Sequence, residues 1–129
     1  MRIFVLSAPE IETHWQEFLP WLERIACCGD LTAQEIRESV KASRMQLWGL
    51  QDDVAVHGIA LTEILGRGSI CAVIAAAGHA SADLQRQVHE SIAAWAKSIG
   101  CTRMRLQGRK GWLRQLGYRQ TGIVGEKSL

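Results

Sequence analysis

The chain has 129 residues, 47% of them hydrophobic and 22% charged, with a formal net charge of +2. That length fits one domain, 1–129, able to bury roughly two thirds of its unfolded surface, and the composition excludes a disordered or repeat-built chain. The longest apolar run, Ile70 to Gly78, falls well below the roughly 18 residues of a membrane helix, and the few apolar residues after Arg2 are too short for a signal sequence. A cytoplasmic protein with no membrane partner is expected.

Arg2 to Leu6 reads as a first strand. Pro9 then starts a helical run carrying Ile11, Trp15, Phe18, Leu19 and Leu22, which Pro20 is expected to kink or divide. Thr32 and Glu35 form a capping box ahead of Ile36 and Val40, predicting a second helix. Met45 to Leu50 and Val54 to Leu65 read as a hairpin around Gln51-Asp52-Asp53. Ser69 to Ala77 follows as a strand whose composition suits burial on both faces. Leu84, Val88, Ile92, Trp95, Ala96 and Ile99 mark one stripe of a long helix, with Gln85, Arg86, His89, Glu90 and Lys97 mostly outside it and Gly100 as terminator.

The last quarter has the clearest grammar. Arg103 and Arg105 alternate with Met104 and Leu106, as a half-buried strand requires. Trp112, Leu113 and Leu116 fall at helical spacing. Gly117 supplies a terminator able to adopt positive φ, and Tyr118 opens another extended segment. The stretch from Cys101 to Gly122 is therefore strand, short helix, strand.

Charge is unevenly spread. Residues 1–100 hold 8 Lys/Arg against 12 Asp/Glu, and residues 101–129 hold 7 against Glu126 alone. The basic end suits an anion, whether nucleotide phosphates, nucleic acid or an acidic partner surface, and pairing with the acidic first helices is equally open. Cys27, Cys28, Cys71 and Cys101 include no Cys-x-x-Cys, so they read as reduced, mostly buried thiols. His14, His79 and His89 show no ligand spacing with Cys or carboxylates, and no metal site is indicated.

Trp112, Leu116, Gly117 and Tyr118 resemble the C-terminal half of the GNAT acetyltransferase superfamily, where a short aromatic-bearing helix ends in Leu-Gly-Phe or Leu-Gly-Tyr before a closing strand. With Gly100-Cys101 and Gly108-Arg109-Lys110-Gly111-Trp112, the chain looks similar to small GNAT-like proteins of phages and prophages. The element order, β-α-α-β-β-β-α-β-α-β, also matches. The resemblance implies an α+β, three-layer domain with a mixed, mostly antiparallel sheet and a splayed parallel strand pair. In such proteins acyl-CoA lies in the opening between those strands.

It also implies where acetyl-CoA would bind. Its pyrophosphate should meet backbone amides around Gly78, His79, Ala80, Ser81 and Ala82, at the start of the long helix, because free helix amides and the helix dipole favour anions. The family's Gln/Arg-x-x-Gly-x-Gly/Ala pattern is absent here, and Asp83 adds a like charge. A plain capped helix, with Ser81 as N-cap, is the simpler expectation. The family's proton-donating Tyr corresponds to Leu113, which has no proton to give. His57 is the one candidate base. It shares strand parity with Glu63, but six residues at about 3.3 Å each put the two roughly 20 Å apart.

Two functions follow. One is a phage or prophage GNAT-fold protein with a degenerate acetyl-CoA site and a non-catalytic assembly or binding role, cytoplasmic or virion-associated, contacting a phage structural protein through Arg109, Lys110, Trp112 and Arg114. The other is a divergent N-acetyltransferase moving acetyl from acetyl-CoA to an amine. The altered phosphate motif and Leu113 tilt the sequence toward the first. Nucleic acid is a minor option, since the pI is about 8.5 and no reader motif is present.

Overall fold

Two reciprocal caps fix the N-terminal helical layer. Ser7 accepts from the Glu10 amide while the Glu10 carboxylate accepts from Ser7, and Thr32 and Glu35 repeat the arrangement, so each helix starts with its first orphan donors satisfied. The computed structural model describes residues 1–28, 30–107, 110–119, 122 and 127–128. After β1 (Arg2–Val5) come α1 (Ala8–Thr13), α2 (Trp15–Cys28) and α3 (Ala33–Lys41), then β2 (Gln46–Gln51), β3 (Val56–Leu65), β4 (Ile70–Gly78), α4 (Ala82–Ser98), β5 (Arg103–Leu106) and α5 (Lys110–Gln115).

The first helical run is divided at His14, which caps α1, and not at Pro20, which lies inside α2. Thr13 explains part of this: its hydroxyl donates to the Pro9 carbonyl at 3.0 Å, competing with the helix ladder at the end of α1. Pro20 is tolerated because it removes one amide within a helix held by a buried apolar face. The closing strand expected after Tyr118 lies outside the described residues.

The five described strands form one sheet in the order β1-β2-β3-β4-β5, antiparallel except for the parallel pair β4–β5. Helices cover both faces. Ile11, Phe18, Leu22, Ile25, Ile36 and Val40 pack on Leu47, Ile59 and Leu61. On the other face, Ile92 and Ala96 of α4 pack on Trp48, Ala60, Cys71 and Val73. The domain is thus the expected α+β arrangement of three layers. The α4 stripe departs from expectation at its borders: Ile99 is exposed, and Gln85 and His89, placed outside the stripe, are half-buried.

Gly117 has φ +78, the left-handed geometry expected of the residue that stops α5. The Tyr118 amide then returns to the Leu113 carbonyl at 2.7 Å, completing the terminator.

One buried polar chain crosses the sheet. Trp48 Nε1 donates to Thr62 Oγ1 at 3.1 Å, and the Thr62 hydroxyl donates to Gln46 Oε1 at 2.8 Å. Thr62 is fully buried. Thr62→Val keeps the shape but strands the indole N–H, a loss of about 1–3 kcal/mol. Urea unfolding should show it as a lower midpoint with unchanged slope.

Candidate functional site: a fork beside β4

The parallel ladder between β4 and β5 is short. It runs from Ile70↔Arg103 to Val73↔Leu106, and its last contact is the Gln107 amide on the Val73 carbonyl at 3.3 Å. β4 continues to Gly78. The strands part at a register shift: Leu61 faces Ala75 and Thr62 faces Val73, so Ile74 is the extra residue of a β-bulge. Bulges bend a strand and reverse its side-chain alternation. Cys71 and Val73 accordingly face α4, whereas Ile74, Ala75 and Ala77 face the α1–α3 layer.

Beyond the bulge β4 has a free edge. The His79 amide donates to the His57 carbonyl, so Ala77 and Ala75 are the residues bonded to β3. Alternation then turns the amides and carbonyls of Ala76 and Gly78 the other way, into the fork. Both residues are exposed. The fork opens into a cleft of about 1320 Å³ that passes from one face of the sheet to the other. Arg24, Ile25, Leu31 and Ile36 form one wall, and Gln85, Val88, His89 and Ile92 of α4 the other. Leu106, Gln107 and Leu116 close its end, and Asp30 and Glu63 are the carboxylates that reach it.

The five residues expected near a pyrophosphate occupy the turn from β4 into α4, and of the amides from His79 to Ala82 only that of His79 has an acceptor among the described residues. Gly78 has a structural reason to lack a side chain, since a Cβ there would lie 2.6 Å from Gly58 Cα and 2.7 Å from the His57 carbonyl. His79 gives its amide to His57 and sets its ring edge-on to Trp21, centroids 5.5 Å apart. The Ala80 carbonyl accepts from Gln85 Nε2 at 3.1 Å, and Ser81 is the N-cap, accepting from the Leu84 amide at 3.2 Å. Ala82 opens the helix, and its amide and that of Asp83 have no acceptor among the described residues. The Asp83 carboxylate turns back along its own helix, to Arg86 at 3.2 Å and Gln87 at 3.3 Å, so its charge is partly offset.

His57 does not face the cleft lining. Its Nε2 lies 2.6 Å from Asp52 Oδ2, and Asp52 Oδ1 accepts from the amides of Val54 and Ala55. These amides and then the imidazole hold the Asp52 carboxyl down at about 2, so the pair reads as a turn clamp. A second register shift, pairing Leu50 with Gly58 and Gln51 with Val56, makes His57 itself the extra residue of a bulge. The parity argument linking His57 to Glu63 therefore fails. Asp52 was missed as a partner, although an Asp followed by Asp-Val in a hairpin turn is an Asx-turn signal.

Leu113 is half-buried at the position where the resemblance puts a Tyr, and Arg114 is exposed. Arg109 and the side chains of Lys110 and Trp112 lie outside the described residues, as do the side chains of Cys27 and Cys28. Cys71 and Cys101 are free; burial pushes the Cys71 thiol up to about 11, which suits an inert core thiol. Among the described residues there is no group of three or more metal-ligating side chains, and no helix is long and apolar enough to cross a membrane.

Several solved structures of similar fold are described as acetyltransferases. The chain superimposes on a ribosomal-protein-alanine N-acetyltransferase from Brucella melitensis biovar Abortus 2308 with a TM-score of 0.74 at 13% identity, covering 100% of this chain and 99% of that one. Against the aminoglycoside N-acetyltransferase AAC(6')-Iy in complex with CoA the TM-score is 0.75 at 13% identity, covering 99% and 93%. A metagenomic soil aminoglycoside acetyltransferase in complex with sisomicin gives 0.74 at 9% identity, covering 99% and 95%. The fold is GNAT. No protein-family model and no curated protein matches the chain.

The GNAT-like fork of this chain presents a free strand edge beside the start of a helix. Ala76 and Gly78 offer unpaired amides and carbonyls along a strand edge, the geometry that an amide-bearing chain can pair with. At the start of α4 the amides of Ala80, Ser81, Ala82 and Asp83 have no acceptor among the described residues, within a turn that carries side chains at His79, Ala80 and Ser81.

Proposed function

We propose that the chain binds acyl-CoA along the free edge of β4 and transfers the acyl group to an amine, as an N-acyltransferase. The observation that carries this is the bulge at Ile74, which opens the fork and turns the Ala76 and Gly78 backbone into it. The matched acetyltransferases, one of them in complex with CoA, support the same reading across nearly the whole chain.

Bound in the fork, acetyl-CoA would supply an activated thioester. The Ala76 and Gly78 backbone groups would hold its amide arm, the Ala82 and Asp83 amides would face its phosphates, and Val88 and Ile92 would exclude water from one side. An amine reaches the thioester from the α2–α3 wall, where Glu63 lies half-buried with no partner among the described residues. Glu63 is the group we assign to draw in the cationic amine and accept its proton.

Incubation with acetyl-CoA and a panel comprising a polyamine, an aminoglycoside and a peptide with a free N-terminus tests this. Thiol release that depends on one of these amines, with an acetylated product by mass, is expected. Binding of acetyl-CoA without amine-dependent release across the panel would favour a second reading, which Leu113 supports. In that reading a GNAT-fold protein lacking the Tyr acid serves phage or prophage assembly, contacting a structural protein through Arg109, Lys110, Trp112 and Arg114.

A further inference from the structure

One side chain on the apolar part of the cleft wall is held in a defined state by a residue far along the chain. His89 Nε2 and the Tyr118 hydroxyl lie 2.5 Å apart, with the rings edge-to-face at 5.3 Å and 77°. Both residues are half-buried. Burial lowers the His89 pKa, against a smaller opposing effect of Glu90, and raises that of Tyr118 to about 12, so both are neutral near pH 7.

A phenol O–H is a stronger acid than a neutral imidazole N–H, so in this pair the Tyr118 hydroxyl is assigned as the donor and His89 Nε2 as the acceptor. A neutral imidazole that accepts at Nε2 carries its own proton on Nδ1. No described group accepts from Nδ1. Yet no fully buried side-chain nitrogen or oxygen lacks a partner among the described residues. Nδ1–H is therefore not sealed in the core, and His89 lines the cleft among Val88, Ile92, Leu106 and Leu116.

We propose that His89 Nδ1–H is a binding donor for a carbonyl oxygen of acyl-CoA, in its amide arm or thioester, and that Tyr118 is a positioning residue that fixes the ring and its tautomer. The inference rests on the acyl-CoA reading above. It gives the cleft a side-chain donor opposite the backbone donors of Ala76 and Gly78, so the arm is gripped from two sides. Neither residue needs to lose a proton for this role.

Two measurements on the full chain test it. Nitrogen-15 spectra of the imidazole rings should show His89 as the Nδ1–H tautomer, with Tyr118→Phe moving the population toward Nε2–H; a wild-type ring protonated at Nε2 overturns the assignment. Calorimetric titration with acetyl-CoA should show His89→Leu and His89→Gln binding about tenfold more weakly than wild type. His89→Asn, whose amide nitrogen sits where Nδ1 was, should stay within about threefold, with folding of each variant verified by its melting curve. Equal affinity of wild type and His89→Leu sinks the role of His89 alone. No binding by the wild type sinks the acyl-CoA reading, and the ligand role of His89 with it.

Discussion

Phe18→Ala should lower the unfolding free energy by about 4 kcal/mol, the loss expected when a large core aromatic is deleted and its cavity only partly collapses. Phe18 is 1% exposed and sits at the centre of the packing between α2 and the sheet. Gly49 shows how tight that packing is: a Cβ on this residue of β2 would lie 2.9 Å from the Phe4 ring and 3.3 Å from the Phe18 ring. The strand gives up a side chain to seat two aromatics. Against a typical total of roughly 5–15 kcal/mol, the variant should be close to unfolding at 37 °C, as urea titration monitored by tryptophan fluorescence would reveal. Because α2 also carries Arg24 and Ile25 of the cleft wall, any folded remainder should bind ligand poorly.

Ala76→Pro should separate binding from folding. Its amide points into the fork, away from β3, so proline removes no rung of the antiparallel ladder, and proline is tolerated on such an edge. The melting temperature should change by only a few degrees, while acetyl-CoA affinity falls at least about tenfold as one backbone donor is lost and the ring intrudes. Ala77→Pro is the opposite control. Its amide faces β3 in the pair Ile59↔Ala77, so this substitution should cost about 1–3 kcal/mol of stability. If both variants melt alike and bind alike, the backbone phase assigned to β4 is wrong.

The order of elements was legible because each long element carries a single clean period. Leu84, Val88, Ile92 and Ala96 repeat at helical spacing, Thr32 and Glu35 announce α3, and Gly117 marks the end of α5. The fork was legible only through resemblance. Within Ile70 to Gly78 every residue is apolar or small, so the alternation that would betray a bulge at Ile74 has no polar phase to reverse. The same problem hid His57. One inserted residue in β3 breaks the count that seemed to align it with Glu63, and its partner Asp52 belongs to the turn.

Long-range pairs were harder still. His89 looks like a surface residue by its place outside the α4 stripe, and only the return of the chain after α5 brings Tyr118 against it. Gly78 illustrates a different lesson, since its small size suggested room for a phosphate and turns out to be required by Gly58 and the His57 carbonyl. Asp83, an objection to anion binding in the sequence, is turned toward Arg86 and Gln87. The turning of Asp83 removes one objection to an anion at the start of α4, while Leu113 keeps the source of the leaving thiolate's proton outside the family pattern.

The most direct test is a titration of the nitrogen-15-labelled chain with acetyl-CoA, followed by its backbone amide signals. Saturable shifts centred on Ala76, Gly78, Ala82 and Asp83 are predicted, because those amides face the fork or the start of α4 without an acceptor of their own. An unchanged spectrum at millimolar acetyl-CoA, or shifts confined to residues away from β4 and α4, would contradict the proposed site.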